Sequence, residues 1–158
     1  MSTFYMMCGP AGCGKSYRAT AITQCFTNIV YISSDKIRKE LLGSESDQRK
    51  GGLIFLTAKQ RIVENLRGGR DVLFDATNLK AAQRKRFIKL SRDAGAKFCI
   101  CLAFYCDEVA SRNNQLLRDR KVPDSVIARQ CAQYQLPVEQ EGWDDIVYYP
   151  TYRQENNE

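Results

Sequence analysis

The chain contains no histidine, no C-x-x-C pair and no apolar run of bilayer length. Without histidine or paired cysteines the usual zinc sites have no ligands. Without about 18 consecutive apolar residues no membrane-spanning helix is expected. The N-terminus also lacks the basic, apolar and small-residue pattern of a secretory leader, so an intracellular, cytoplasmic protein with no membrane association is expected. There are no repeats, low-complexity tracts or internal linkers, and the 158 residues read as one domain, 1–158. That length suffices to bury a substantial core. The cysteines are seven, an odd number (8, 13, 25, 99, 101, 106, 131), and most sit in apolar runs as buried small hydrophobes.

Acidic residues are scarce outside one segment. Residues 139–158 hold six acids (Glu139, Glu141, Asp144, Asp145, Glu155, Glu158) against Arg153 alone, and the chain ends in an acidic tail from about 149. Residues 1–138 therefore keep 23 bases and 12 acids, a net of +11, although the whole chain carries only +6. A field of that sign favours a polyanionic partner. The densest basic stretch, KAAQRKRFIKLSRDAGAK (80–97), has seven bases and one acid, with Phe87, Leu90 and Ala94 as a buried helical stripe. Its charge fits a solvated helix face as well as a nucleic-acid surface.

The most informative stretch is GPAGCGKS, residues 9–16, directly after the apolar run FYMMC. Gly9, four residues, then Gly14, Lys15 and Ser16 is the phosphate-loop spacing. Glycines 9, 12 and 14 allow the sharp turn that aims backbone N–H groups inward, and the following helix adds its positive end. Lys15 would reach the outer phosphates and Ser16 would ligate magnesium. Cys13, inside the loop beside a helix N-terminus, reads either as plain filler or as an acidified, oxidisable thiol.

Strands and helices then alternate. Strands are expected at 4–8, 28–33, 71–75, 97–105 and in WDDIVYY (143–149). Helices are expected after the phosphate loop, at 35–43, through LIFLTAKQRIVENLRGG, over 80–97, at 107–119 and from Pro123. SESDQRKGG (44–52) reads as a surface loop. The pattern predicts a P-loop α/β fold: a doubly wound parallel sheet of about five strands, with helices on both faces and a helical lid over about 112–123. Ligands bind at the carboxyl ends of such strands.

Three further motifs fall at those ends. In SSDKIRKE, Asp35 and Arg38 stand one helical turn apart after the second strand. The carboxylate can take a proton from an attacking hydroxyl and the arginine can hold an acceptor phosphate, although Asp35 also fits a simple helix cap. In VLFDATNL, Asp75 ends a strand where a carboxylate would face the metal's water shell, with Thr77 and Asn78 beside it. A strand-ending turn is the plainer reading. In SRNNQLLRDRKVP, Arg112, Arg118, Arg120 and Lys121 lie between two helices, where a closing lid would bring arginine to the transferring phosphate.

Taken together, GPAGCGKS, DKIR, DATN and RNNQLLRDRKVP resemble the 5′-hydroxyl polynucleotide kinase family, the P-loop kinase module of phage and animal end-healing enzymes. The resemblance runs from Thr3 to about Tyr148. It implies transfer of the γ-phosphate of ATP, or another nucleoside triphosphate, with Mg2+ to the 5′-hydroxyl end of RNA or DNA. By that resemblance Asp35 activates the hydroxyl, Arg38 grips the acceptor phosphate, and Lys15 and Arg118 contact the transferring phosphate. Gly9, Gly12, Cys13, Gly14, Lys15, Ser16, Tyr17, Asp75, Arg112 and Arg120 serve the nucleotide, with Ser16 on the metal. Asp35, Arg38, Thr77 and Asn78 serve the acceptor. No D-x-D-x-T or K-x-D-G motif is present, so any phosphatase and ligase of an end-repair pathway would be separate partners. A kinase for a small hydroxyl acceptor and a non-catalytic nucleotide-dependent binding module remain the alternatives.

Overall fold

The computed structural model describes residues 1–153, so the last five residues of the acidic tail lie outside the described residues. Five parallel strands form one sheet: β1 (Ser2–Cys8), β2 (Ile29–Ser33), β3 (Asp71–Asp75), β4 (Ala96–Phe104) and β5 (Asp145–Tyr149). Their order is β2-β3-β1-β4-β5. Six helices connect them among the described residues: α1 (Lys15–Cys25), α2 (Ser34–Leu42), α3 (Gly51–Arg67), α4 (Ala81–Asp93), α5 (Glu108–Gln115) and α6 (Asp124–Gln133). None is long and apolar enough to cross a membrane.

The central strand β1 is continuously apolar because it is covered on both sides; Phe4, Met6, Met7 and Cys8 are fully buried. One face carries Ile37 of α2, Ile54, Ala58 and Ile62 of α3, and Phe87 of α4. The other carries Ala19 of α1 with Met7, Leu73 and Leu102. The connection from β1 runs towards β2, while the one from β3 crosses to β4. Adjacent strands whose connections diverge open a crevice at their carboxyl ends. Register puts Met7 and Ser33 level with Asp75 there.

Several expected boundaries move, two of them near the site. Gly51 and Gly52, read as loop, form the first turn of α3. Glycine costs a helix up to about 1 kcal/mol per residue, whereas burying Ile54, Ile62 and Leu66 contributes about 1.5–3 kcal/mol each. The helix expected to reach 119 stops at Gln115, and 116–123 is irregular rather than a helical lid. Leu116 and Leu117 are 67% and 72% exposed, so continuing the helix would bury nothing. The Gln115 side chain instead accepts from Val122 N at 3.0 Å, folding the chain back towards Pro123.

Candidate active site

The phosphate loop is held from four directions. Gly9 N donates to Thr77 O at 2.9 Å, and Ala11 N to Gln130 Oε1 on α6 at 2.8 Å. Asn114 Nδ2 on α5 donates to Gly12 O at 2.8 Å, and Tyr152 N donates to Cys13 O at 3.0 Å. Gly12 and Gly14 have φ of 81° and 106°, and a Cβ on them would lie 2.4 Å from Ser111 O and 2.7 Å from Tyr152 Cβ. Only glycine fits both the conformation and the space. The first helical bond of α1 runs from Arg18 N to Gly14 O, so the N–H groups of Lys15, Ser16 and Tyr17 face out of the helix end. That is an anion cradle.

The Lys15 ammonium is buried and donates to Gly9 O at 2.8 Å and Pro10 O at 3.0 Å, while Ser16 is exposed at the helix start. A lysine held on loop carbonyls, an open hydroxyl and unpaired N–H groups fit a magnesium-bound nucleoside triphosphate. Cys13 is fully buried beneath the loop, and burial pushes its thiol up although the Lys15 ammonium opposes this. Of its two readings the filler one holds, since a thiol buried beneath the loop is inert.

Asp75 closes β3 beside the loop and is buried; its Oδ2 accepts from Tyr31 Oη on β2 at 2.5 Å. Burial pushes its carboxyl up, with Lys15, the Tyr31 hydroxyl and Arg118 pulling the other way. The same burial, with the neighbouring Asp75, raises the Tyr31 phenol far above its ordinary range. Sequence reasoning missed Tyr31, which reads as one apolar residue of a strand.

Asp35 lies on the first turn of α2, but the cap is Ser33, whose hydroxyl accepts from Lys36 N at 3.4 Å. The capping alternative for Asp35 thus falls, and its carboxylate pairs instead with Arg38 Nη1 at 3.0 Å. The Arg38 side chain is 8% exposed against 47% for Asp35. Arg38 Nε is buried with no partner among the described residues.

The lid arginines part company. Arg112 pairs with Glu108 one turn back on α5, at 2.5 Å. Arg118 is exposed and close enough for its charge to act on Asp75. Arg120 turns to the α2–α3 loop, with Nε 3.0 Å from Ser46 Oγ. Between that loop and the lid lies a cleft of about 660 Å³ lined by Lys39, Ser44, Glu45, Leu117, Arg118 and Arg120. A second cleft, about 600 Å³, flanks the phosphate loop and includes Tyr17, Arg18, Tyr105, Asp107 and Tyr152. Tyr17 stacks on Tyr152 with ring centroids 4.8 Å apart, giving this cleft an aromatic wall suited to a planar base.

Of the two further expected acceptor residues, the Asn78 side chain is a brace, while Thr77 contributes a backbone contact to the loop. Asn78 is 2% exposed at φ 45°, and its amide donates to Met7 O at 2.7 Å, so it ties β3 to the start of the loop. The Thr77 carbonyl receives the Gly9 N–H. Behind them Arg84, fully buried, forms a two-point pair with Glu141 at 2.9 and 2.7 Å and donates to Asn78 O at 2.8 Å. Trp143 Nε1 donates to the same Glu141 at 3.0 Å. Arg84 belongs to the stretch read as solvated or nucleic-acid-binding charge; its spacing of three and four from Phe87 and Ile88 places it on the apolar face.

A family model described as an AAA domain matches residues 4–137. Among curated proteins none matches the sequence. A gluconokinase from Sinorhizobium meliloti 1021 aligns with a TM-score of 0.63 and 18% identity, over 96% of this chain and 84% of its own. A fungal RNA kinase aligns at 0.67 and 17% identity, over 99% of this chain and 40% of its own. A chain of the Pnkp1/Rnl/Hen1 RNA repair complex aligns at 0.72 and 18% identity, over 84% of this chain and 43% of its own. At such identities the likeness is one of fold, that of a P-loop, kinase-like α/β domain.

Proposed function

We propose that this chain, which belongs to the AAA-domain family matched over residues 4–137, is a polynucleotide 5′-hydroxyl kinase that uses ATP or another nucleoside triphosphate with Mg2+. The observation that carries this reading is the Asp35–Arg38 pair, in which a half-exposed carboxylate is held by a buried arginine with an unpartnered Nε. A buried guanidinium with a spare donor suits a phosphate next to the reacting hydroxyl, which a polynucleotide end supplies. Lys39 on the same helix, and Arg118 and Arg120 opposite, add positive charge along the cleft.

In this reading the α1 N-terminus, Lys15 and the loop N–H groups hold the phosphates of the donor, and Ser16 holds the metal. Asp75 faces that side from β3. Bound Mg2+ neutralises charge on the donor phosphates. The Asp35 carboxylate accepts the proton of the 5′-hydroxyl as its oxygen bonds to the γ-phosphorus, and the β–γ bridging oxygen leaves with the nucleoside diphosphate. Arg118, the exposed lid arginine whose charge acts on Asp75, meets the transferring group once the donor is bound.

A small hydroxyl acceptor is the second reading, since a gluconokinase and an RNA kinase share this fold alike. Incubation with labelled ATP, magnesium, a 5′-hydroxyl oligonucleotide and a panel of sugars and nucleosides separates the two. Steep salt inhibition of transfer supports a polyanionic acceptor.

A further inference from the structure

We infer that Arg120, expected among the nucleotide ligands, is instead an acceptor-side positioning residue that aligns Asp35 when the lid is docked. The inference rests on the reading of Asp35 as the proton acceptor. Every nitrogen of the Arg120 guanidinium is committed to that side. Its Nε lies 3.0 Å from Ser46 Oγ and its Nη2 3.1 Å from Glu45 O. Its Nη1 lies 3.6 Å from Asp35 Oδ2 and 3.7 Å from Glu45 Oε2.

The Asp35 carboxylate thus has an arginine facing each oxygen, hydrogen-bonded by one and ion-paired with the other. Arg38 Nη1 on α2 takes Oδ1 at 3.0 Å, and Arg120 Nη1 from the lid faces Oδ2. The single Arg38 hydrogen bond lets the carboxylate swing about it; a second positive charge facing the other oxygen biases the orientation in which the carboxylate meets the hydroxyl proton. Small misplacements of a reacting group cost large factors in rate. Because Arg120 also ties the lid to Glu45 and Ser46, the second contact exists only with the lid down. Proton acceptance is thus coupled to closure. Arg118, two residues earlier, is exposed and lines the same cleft, and its charge also acts on Asp75, which leaves it as the lid arginine for the donor phosphates.

The test is a double-mutant cycle of Arg120→Ala with Asp35→Asn, read in single-turnover transfer, together with ATP affinity and melting temperature for each variant. Arg120→Ala alone should slow transfer at least about tenfold, and should cost almost nothing further in the Asp35→Asn background. ATP affinity should stay at the wild-type value, and Arg120→Lys should rescue poorly because an ammonium cannot reach three partners as a planar fork does. Losses that simply multiply, or an Arg120→Ala protein with weakened ATP affinity, would overturn the assignment. Transfer to a small acceptor with none to the oligonucleotide would refute the polynucleotide reading alone, and the same cycle run on that acceptor then decides the role of Arg120.

Discussion

Arg38 and Asp35, one turn apart on α2, meet at 3.0 Å with the arginine buried and the carboxylate half-exposed. The asymmetry assigns their tasks. A buried guanidinium is fixed in place, and a half-exposed carboxylate is free to meet an incoming hydroxyl.

Asp35→Asn should keep the fold and the helix, since Ser33 is the cap. It cannot take a proton, so turnover should fall by roughly a hundredfold or more while ATP and acceptor affinities hold. Steady-state kinetics with melting temperatures check this. A folded, fully active variant would remove Asp35 from the mechanism.

Arg38→Ala should raise the Michaelis constant for an oligonucleotide and leave ATP binding nearly unchanged. Arg38→Lys should recover little, because lysine lacks the fork that holds Asp35 and a phosphate together. An unchanged oligonucleotide constant would point to an acceptor without that phosphate.

Lys15→Ala and Ser16→Ala should each abolish transfer, since neither contact can be replaced by the loop backbone. Full activity in either variant would contradict the nucleotide site.

The Arg84–Glu141 pair yields a prediction about stability and pH. Burial pushes the Glu141 carboxyl up, but hydrogen bonds from Arg84 and Trp143 outweigh it and hold the group below its ordinary value. A carboxyl depressed in the folded state stabilises above its unfolded value and loses that stabilisation as pH falls through the folded one. Melting temperature should therefore drop as pH is lowered from the ordinary glutamate value. Glu141→Gln should flatten that dependence and cost about 3–5 kcal/mol at neutral pH, because Arg84 is left buried and uncompensated. Chemical denaturation of both proteins across pH measures it.

All five strands and the phosphate loop were legible in the sequence because each rests on a local pattern: apolar runs, glycine spacing and a lysine-serine pair. Asp35 and Arg38 were legible for the same reason, being one helical turn apart. What was not legible lies between distant segments. Glu141 meets Arg84 across 57 residues, and Tyr31 meets Asp75 across 44. The direction of Arg120 depends on Glu45 and Ser46, which read only as a polar loop. Trp143 was expected at the start of the last strand but packs in the core, while β5 begins at Asp145. The segment after β5 was expected to be an acidic tail, yet Thr151 and Tyr152 pack on Tyr105 and the phosphate loop.

The measurement closest to the central claim is phosphate transfer from labelled ATP, with magnesium, to a 5′-hydroxyl oligonucleotide, run beside gluconate, nucleosides and the same oligonucleotide bearing a 5′-phosphate. The account predicts label on the 5′-hydroxyl oligonucleotide alone, falling steeply with salt and lost in Asp35→Asn. Label on a small acceptor, with the oligonucleotide untouched, would contradict it.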